Sequence, residues 1–224
     1  LSATPLLITF IIFFFAWPNI YRTKDSKISF SDFFSLLIPW KSIAGINMIL
    51  VMISYSMAYI ALLAMTPLYL LGFHGYSSVF AGSVFAIMML SGGIIAPLMG
   101  RISDQFNRKY VNAIALVVGV LGLSILTTGN GPFMLILGAT IAAGAWTGLR
   151  PGLLADAVEI TGKRESTSLG IIFVFMDGIG AMGAVLAGLV GYADLRYAFV
   201  FAGVLATFSA FLSIIYSIKR KILV

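Results

Sequence analysis

Cysteine is absent from the 224-residue chain, and histidine occurs once. The missing thiols exclude a disulfide framework and thiolate metal sites, and they leave the redox compartment open. Charge is scarce too: Asp, Glu, Lys and Arg make up 10% of residues, against roughly a quarter in a soluble domain. The sequence holds no glycine-rich phosphate cradle, no His/Asp/Glu set at metal-ligand spacing and no nucleophile beside a base. Nucleotide-driven pumping and enzymatic chemistry therefore have no residues to carry them, and no cofactor is expected. A repeat at the roughly 20–50-residue period of solenoids is also missing.

What is present is apolar. Hydrophobic residues make up 60% of the chain, in runs of roughly 18 to 28, the length that a hydrocarbon layer about 30 Å thick requires. Charged, Gly, Pro and Asn breaks divide them into seven candidate spans: Ser2–Pro18, Ile43–Gly72, Val79–Gly100, Tyr110–Thr127, Pro132–Val158, Ser166–Ala193 and Tyr197–Ile218. Barrel strands are about 10 residues long and alternate in polarity, and no such alternation occurs. The expected fold class is all-α, a polytopic transmembrane helical bundle with membrane lipid as its solvent. The apolar start at Leu1, with no basic residue before it, is unlike a secretory signal and reads as cut from something longer.

A formal charge of +6 raises the question of a nucleic-acid partner. The basic residues sit at span ends rather than in one patch, so none is expected. With the segment 19–42 placed inside, every one of the 14 lysines and arginines except Arg150 and Arg196 falls on the cytoplasmic side, and the positive-inside rule then puts the C-terminus there as well. Within that segment Ser31 or Asp32 is placed to cap a short interfacial helix bearing Phe30, Phe33 and Phe34, with Trp40 at headgroup level. An unstructured tether is the alternative.

The turn after the third span reads Gly100-Arg101-Ile102-Ser103-Asp104-Gln105-Phe106-Asn107-Arg108-Lys109. It resembles the G-x-L-x-D-x-x-G-R-K signature of the major facilitator superfamily, with Gly100, Asp104, Arg108 and Lys109 in register. Ile102 stands for the leucine. Asn107 stands for the second glycine and is expected to take the left-handed conformation that asparagine tolerates, with Gly100 giving a close helix exit. The resemblance extends along the chain. Pro67-Leu68-Tyr69-Leu70 with Gly75 and Gly82 is similar to helices seven and eight of that family. Pro151, Asp156, Glu159, Gly162-Lys163-Arg164 and Gly170 are similar to the end of helix ten and its turn into eleven, and the small-residue run from Gly178 to Gly188 to helix eleven.

The resemblance implies a chain that is the C-terminal half of such a protein: 1–18 the end of helix six, 19–42 a cytoplasmic linker between bundles, and 43–224 a six-helix bundle. Its implied partners are the missing N-terminal bundle of the same chain and a small-molecule substrate. The implied activity is secondary transport by alternating access, ion- or proton-coupled, in the cell membrane, with gating contacts around Asp104, Arg108, Asp156 and Arg164. A non-transporting receptor or assembly protein on the same bundle, and a half-transporter that dimerises, are the alternatives.

Two charged residues fall toward mid-bilayer within spans, where a charge costs at least a few kcal/mol. Asp177 lies twelve residues beyond Glu165 and Arg150 nine before Glu159, about 18 and about 14 Å into the layer from the same side. Because helices seven, eight, ten and eleven line the cavity in the resembled family, the two are candidates for a charge pair that substrate or a proton interrupts. A structural ion pair, or Arg150 reaching the cytoplasmic interface, is the alternative. Asn47, Ser54, Tyr55, Tyr59, Thr66 and Tyr69 share a broad face of one span, and Thr147 shares a face with Arg150 and Thr140 on another. These stripes suit a pathway wall or helix–helix hydrogen bonding equally. Gly144, Gly148 and Gly152 read as a close-packing face, and His74 as a solvated residue of an external turn.

Overall fold

The computed structural model describes residues 39–161 and 165–222, all helix and short turns. Helix α1, Ile43–Leu68, starts where the Ser42 hydroxyl accepts from the Gly45 N–H at 3.0 Å, and runs on through a π-helical turn, Tyr69–Phe73. Helix α2, Ser78–Gln105, is capped in the same way by Ser77. Helix α3 spans Arg108–Thr128, and α4 spans Pro132–Thr161 with proline at the position where its missing N–H is harmless. The next span is composite: α5, Glu165–Phe173, a π-helical stretch, Val174–Ile179, and α6, Met182–Val190. Helix α7, Leu195–Ile222, closes the bundle.

Among the described residues, six helical stretches are long and apolar enough to cross a membrane. The expected span Ser2–Pro18 and the interfacial helix at Ser31 or Asp32 lie outside the described residues. Short connections make consecutive spans antiparallel, which leaves two ends: one at Arg108, the other at His74. Two turns at the His74 end need φ above zero and use glycine for it, Gly75 at 68° and Gly131 at 89°.

Helix α4 packs on α2 and α3, α1 packs on α7 and α6, and α3 also meets α7. In lipid this packing rests on close backbone approach rather than on hydrophobic exclusion. A side chain on Gly183 would collide with the Met57 backbone, so the small-residue run lets α6 meet α1 main chain to main chain. Gly144 and Gly148 face Ile95 and Met99 of α2, and Gly152 faces Asn112 of α3, so this stripe is the packing face its spacing implies.

Several details depart from the sequence expectations. Asn107 is extended (φ −65°, ψ 109°), not left-handed; its side-chain oxygen accepts from the Lys109 N–H at 3.2 Å and caps α3. Capping satisfies an orphan helix donor, and it requires the β region. Gly100 is not at a helix exit: α2 continues to Gln105, and Gly100 lies inside it facing Pro151. Trp40 is buried against Phe175, with ring centroids 6.0 Å apart, rather than placed at a headgroup surface. His74 is not a freely solvated residue. It packs among Tyr69, Phe73 and Tyr76, and burial holds its imidazole pKa below the ordinary value.

Candidate functional site

The two charges expected inside spans meet. An Nη of Arg150, on α4, donates to Oδ1 of Asp177, carried by the π-helical stretch between α5 and α6. The side chains remain 34% and 52% exposed, so the pair faces space rather than packed protein. A charge left alone at this depth costs about 2.5–3.5 kcal/mol on insertion scales, which is why each needs the other. The π-stretch adds one residue to the local turn and loosens the ladder of backbone bonds, a feature often found at functional positions in helices. Nothing in the spacing of apolar residues announces it.

One turn before Arg150, Thr147 donates its hydroxyl to the Tyr59 oxygen at 3.1 Å. Tyr59 stacks on Tyr55, with centroids 6.1 Å apart and planes 9° apart. Tyr55 is fully buried and donates to the Trp146 carbonyl at 2.6 Å, while the Trp146 indole donates to the Leu116 carbonyl at 3.2 Å. These bonds stitch α1 to α4 and α4 to α3. Tyr55 thus spends its hydroxyl on a helix–helix contact, and Tyr59 with Thr147 makes a second one beside it. Ser54 is buried, and Thr66 bonds back to the Leu62 carbonyl at 2.7 Å, so the rest of the stripe serves packing.

A second charged group forms at the Arg108 end. Arg108 reaches Asp104 at 3.2 Å on α2, and Asp156 and Glu159 at 3.7 and 3.8 Å on α4. Gly100 stands one turn before Asp104 on α2. Asp156 is the most enclosed of the three acids, 15% exposed against 69% for Asp104 and 64% for Glu159. Arg164, expected in this group, lies outside the described residues. Glu159, quoted for the resemblance but not among the expected gating contacts, joins it; its three-residue step from Asp156 along one helix face was the available signal. Asn47, expected near the pathway, instead lies at this end. Its amide donates to the Leu212 carbonyl of α7 at 3.5 Å, and it lines a cavity of about 430 Å³ with Lys109, Asp156 and Glu159.

The opposite end carries a smaller clasp. Arg196 donates to Asp194 at 2.7 Å and lies over the Phe73 ring at 5.0 Å, joining the start of α7 to the π-turn of α1. Those hydrogen bonds hold the Asp194 carboxyl below its ordinary pKa. Among the described residues no group of His, Cys, Asp and Glu has the arrangement to hold a metal.

The Major Facilitator Superfamily model matches residues 1–184 and, in a second overlapping alignment, 80–221. A class H tetracycline resistance protein of Pasteurella multocida is 27% identical over 151 residues, 64% of this chain and 36% of the relative. A triacylglyceride transporter of Mycobacterium tuberculosis is 37% identical over 112 residues, 46% of this chain and 20% of the relative. A multi-drug resistance efflux pump homolog of Lactococcus lactis is 26% identical over 155 residues, 67% of this chain and 38% of the relative. In each case the chain spans well under half of the curated relative.

Proposed function

The chain belongs to the major facilitator superfamily, a family of transporters rather than enzymes, and is an integral multi-pass membrane protein; from that premise we propose that it forms the C-terminal six-helix bundle of a secondary transporter. The observation that carries this reading is the half-exposed Arg150–Asp177 pair inside two spans. A bridge shut inside the packed bundle would be out of reach of solute and proton. Here they face open space, where a solute or a proton can reach them.

In the proposed cycle this bundle rocks against an N-terminal bundle of the same protein around a midplane site. Protonation of Asp177 dissolves the pair and frees Arg150 to hold an anionic group of the solute; release of the proton restores it. The transporter is thus proton- or ion-coupled. The Arg108 end is the cytoplasmic one, where basic residues gather, and the protein sits in the cell membrane with its C-terminus inside. Arg108, shared among Asp104, Asp156 and Glu159, ties α2, α3 and α4 together at that end, and Arg164 belongs to the same gate. Contacts this long, at 3.7 and 3.8 Å, re-form at little cost as the bundle moves.

The relatives named for tetracycline resistance, triacylglyceride transport and multi-drug efflux favour an organic solute with a substantial apolar part. The test is solute flux in vesicles that contain the natural full-length protein, with and without an imposed proton gradient. Gradient-dependent flux that is lost in Asp177→Asn is the expected result. Flux unchanged by Asp177→Asn sinks the assignment of the pair to the pathway.

A further inference from the structure

The cavity at the Arg108 end has no part in the midplane site. It opens among the start of α1, the start of α3 and the ends of α4 and α7, and its volume of about 430 Å³ lies in the range of small-molecule sites, about 300–1,000 Å³. Its wall is built in two halves. Met48, Val51 and Leu153 give an apolar floor, and all three are buried.

The polar half offers an amide and a hydroxyl. Asn112 is 3% exposed and Ser213 6% exposed, both line the cavity, and among the described residues neither side chain has a hydrogen-bond partner. Buried amides and hydroxyls are normally paired with protein or water. Two residues this enclosed, with their polar groups turned to one cavity, point to a ligand that meets them.

Charge selects the kind of ligand. Among the described lining residues two carboxylates, Asp156 and Glu159, face the cavity with one ammonium, Lys109. Arg108 touches both acids only at 3.7 and 3.8 Å, too long for a close charge-assisted hydrogen bond, so each keeps acceptor capacity. An anion would meet the carboxylates unfavourably, and a purely apolar molecule would leave the amide and hydroxyl unmet.

We propose that this cavity is a binding site, separate from the transport pathway, for a small organic cation: an ammonium group paired with Asp156 and Glu159, hydrogen-bonded toward Asn112 and Ser213, with its apolar body over Met48 and Val51. An ammonium there competes with Arg108 for the acids of α4. Occupancy therefore loosens the tie of α3 to α4, and the site couples an amine on that side of the membrane to the gate. The binding itself does not depend on the transport reading.

The experiment is calorimetric titration of the full-length protein in lipid nanodiscs with phenethylammonium, and in parallel with 2-phenylethanol and phenylacetate, which keep the ring and change the charge. The ammonium is expected to bind at least tenfold more tightly than either comparator. Asn112→Leu and Glu159→Gln are each expected to weaken it at least fivefold, and Asp177→Asn to leave it within twofold. A Ser213→Cys variant supplies a second readout, with alkylation followed at the peptide that carries residue 213: phenethylammonium is expected to slow alkylation of that thiol at least fivefold, and 2-phenylethanol to leave it unchanged. Equal binding of the alcohol, loss of binding in Asp177→Asn, or a thiol labelled equally fast with and without the ammonium would each overturn the proposal.

Discussion

Two arginines in this protein do opposite work with the same chemistry. Arg150 meets one carboxylate inside the membrane, through a direct hydrogen bond from an Nη. Arg108 meets three at the end of the bundle, one at hydrogen-bond distance and two farther off. The first pair is balanced, so losing either member leaves a lone charge within a span. In the second group each contact is partly solvated and replaceable, and the arrangement is worth more as a hinge than as a bond. Strength and adaptability are thus assigned by depth in the bilayer, not by residue type.

That contrast is broken most severely at Asp177. Asp177→Asn leaves Arg150 unpaired at a cost of about 2.5–3.5 kcal/mol, and solute flux is expected to fall about a hundredfold by the relation of roughly 1.4 kcal/mol per tenfold. Arg108→Gln strips the counter-charge from three acids that are all partly exposed, and is expected to slow turnover about tenfold with little change in the solute concentration at half-maximal rate. If Arg108→Gln proves as severe as Asp177→Asn, the distinction by depth fails. Asp104→Asn removes one exposed pair that crosses from α2 to α3, typically worth about 0.2–1 kcal/mol. About a twofold effect on flux is expected, and raised salt should abolish the difference from the natural protein while leaving Asp177→Asn impaired.

The mildest effect belongs to the His74 end. Burial disfavours the charged imidazole, so the folded pKa of His74 lies below the unfolded value of 6.5. The sign follows: the neutral, packed His74 stabilises the turn fully above pH 6.5, and that contribution is lost as pH falls through the lower folded value. His74 is the one histidine in this chain, and a site-specific label at its imidazole should titrate with a midpoint below 6.5. A midpoint at or above that value would mean that the aromatic packing around it does not exclude water.

Much of the fold was legible because a bilayer imposes its thickness on the sequence. Run length and the polar breaks between runs locate the six spans among the described residues, and counting turns from Glu165 and Glu159 places Asp177 and Arg150 at comparable depth. The signature residues Asp104 and Arg108 pair at a four-residue step, which one helix would allow and a two-residue break between helices preserves. What stayed hidden depends on neighbours. Asn107 is a capping residue because an orphan N–H of α3 lies within its reach, a fact of the fold rather than of its own preference. The hydroxyl of Tyr55 is consumed by a carbonyl of α4, which no pattern within α1 records. The π-helical stretch under Asp177 shifts the register by one residue, and the uniformly apolar sequence around it carries no periodicity strong enough to expose the shift.

The most direct test of the central claim is solute flux in the double variant Arg150→Gln/Asp177→Asn of the full-length protein, measured beside the two single variants. The double variant strands no charge, so a bridge that only stabilises the bundle would be replaced without loss. The double variant is expected to fold as well as the natural protein yet carry as little solute as Asp177→Asn alone; recovery of flux to near the natural rate would reduce the pair to a structural bridge and contradict its place in the pathway.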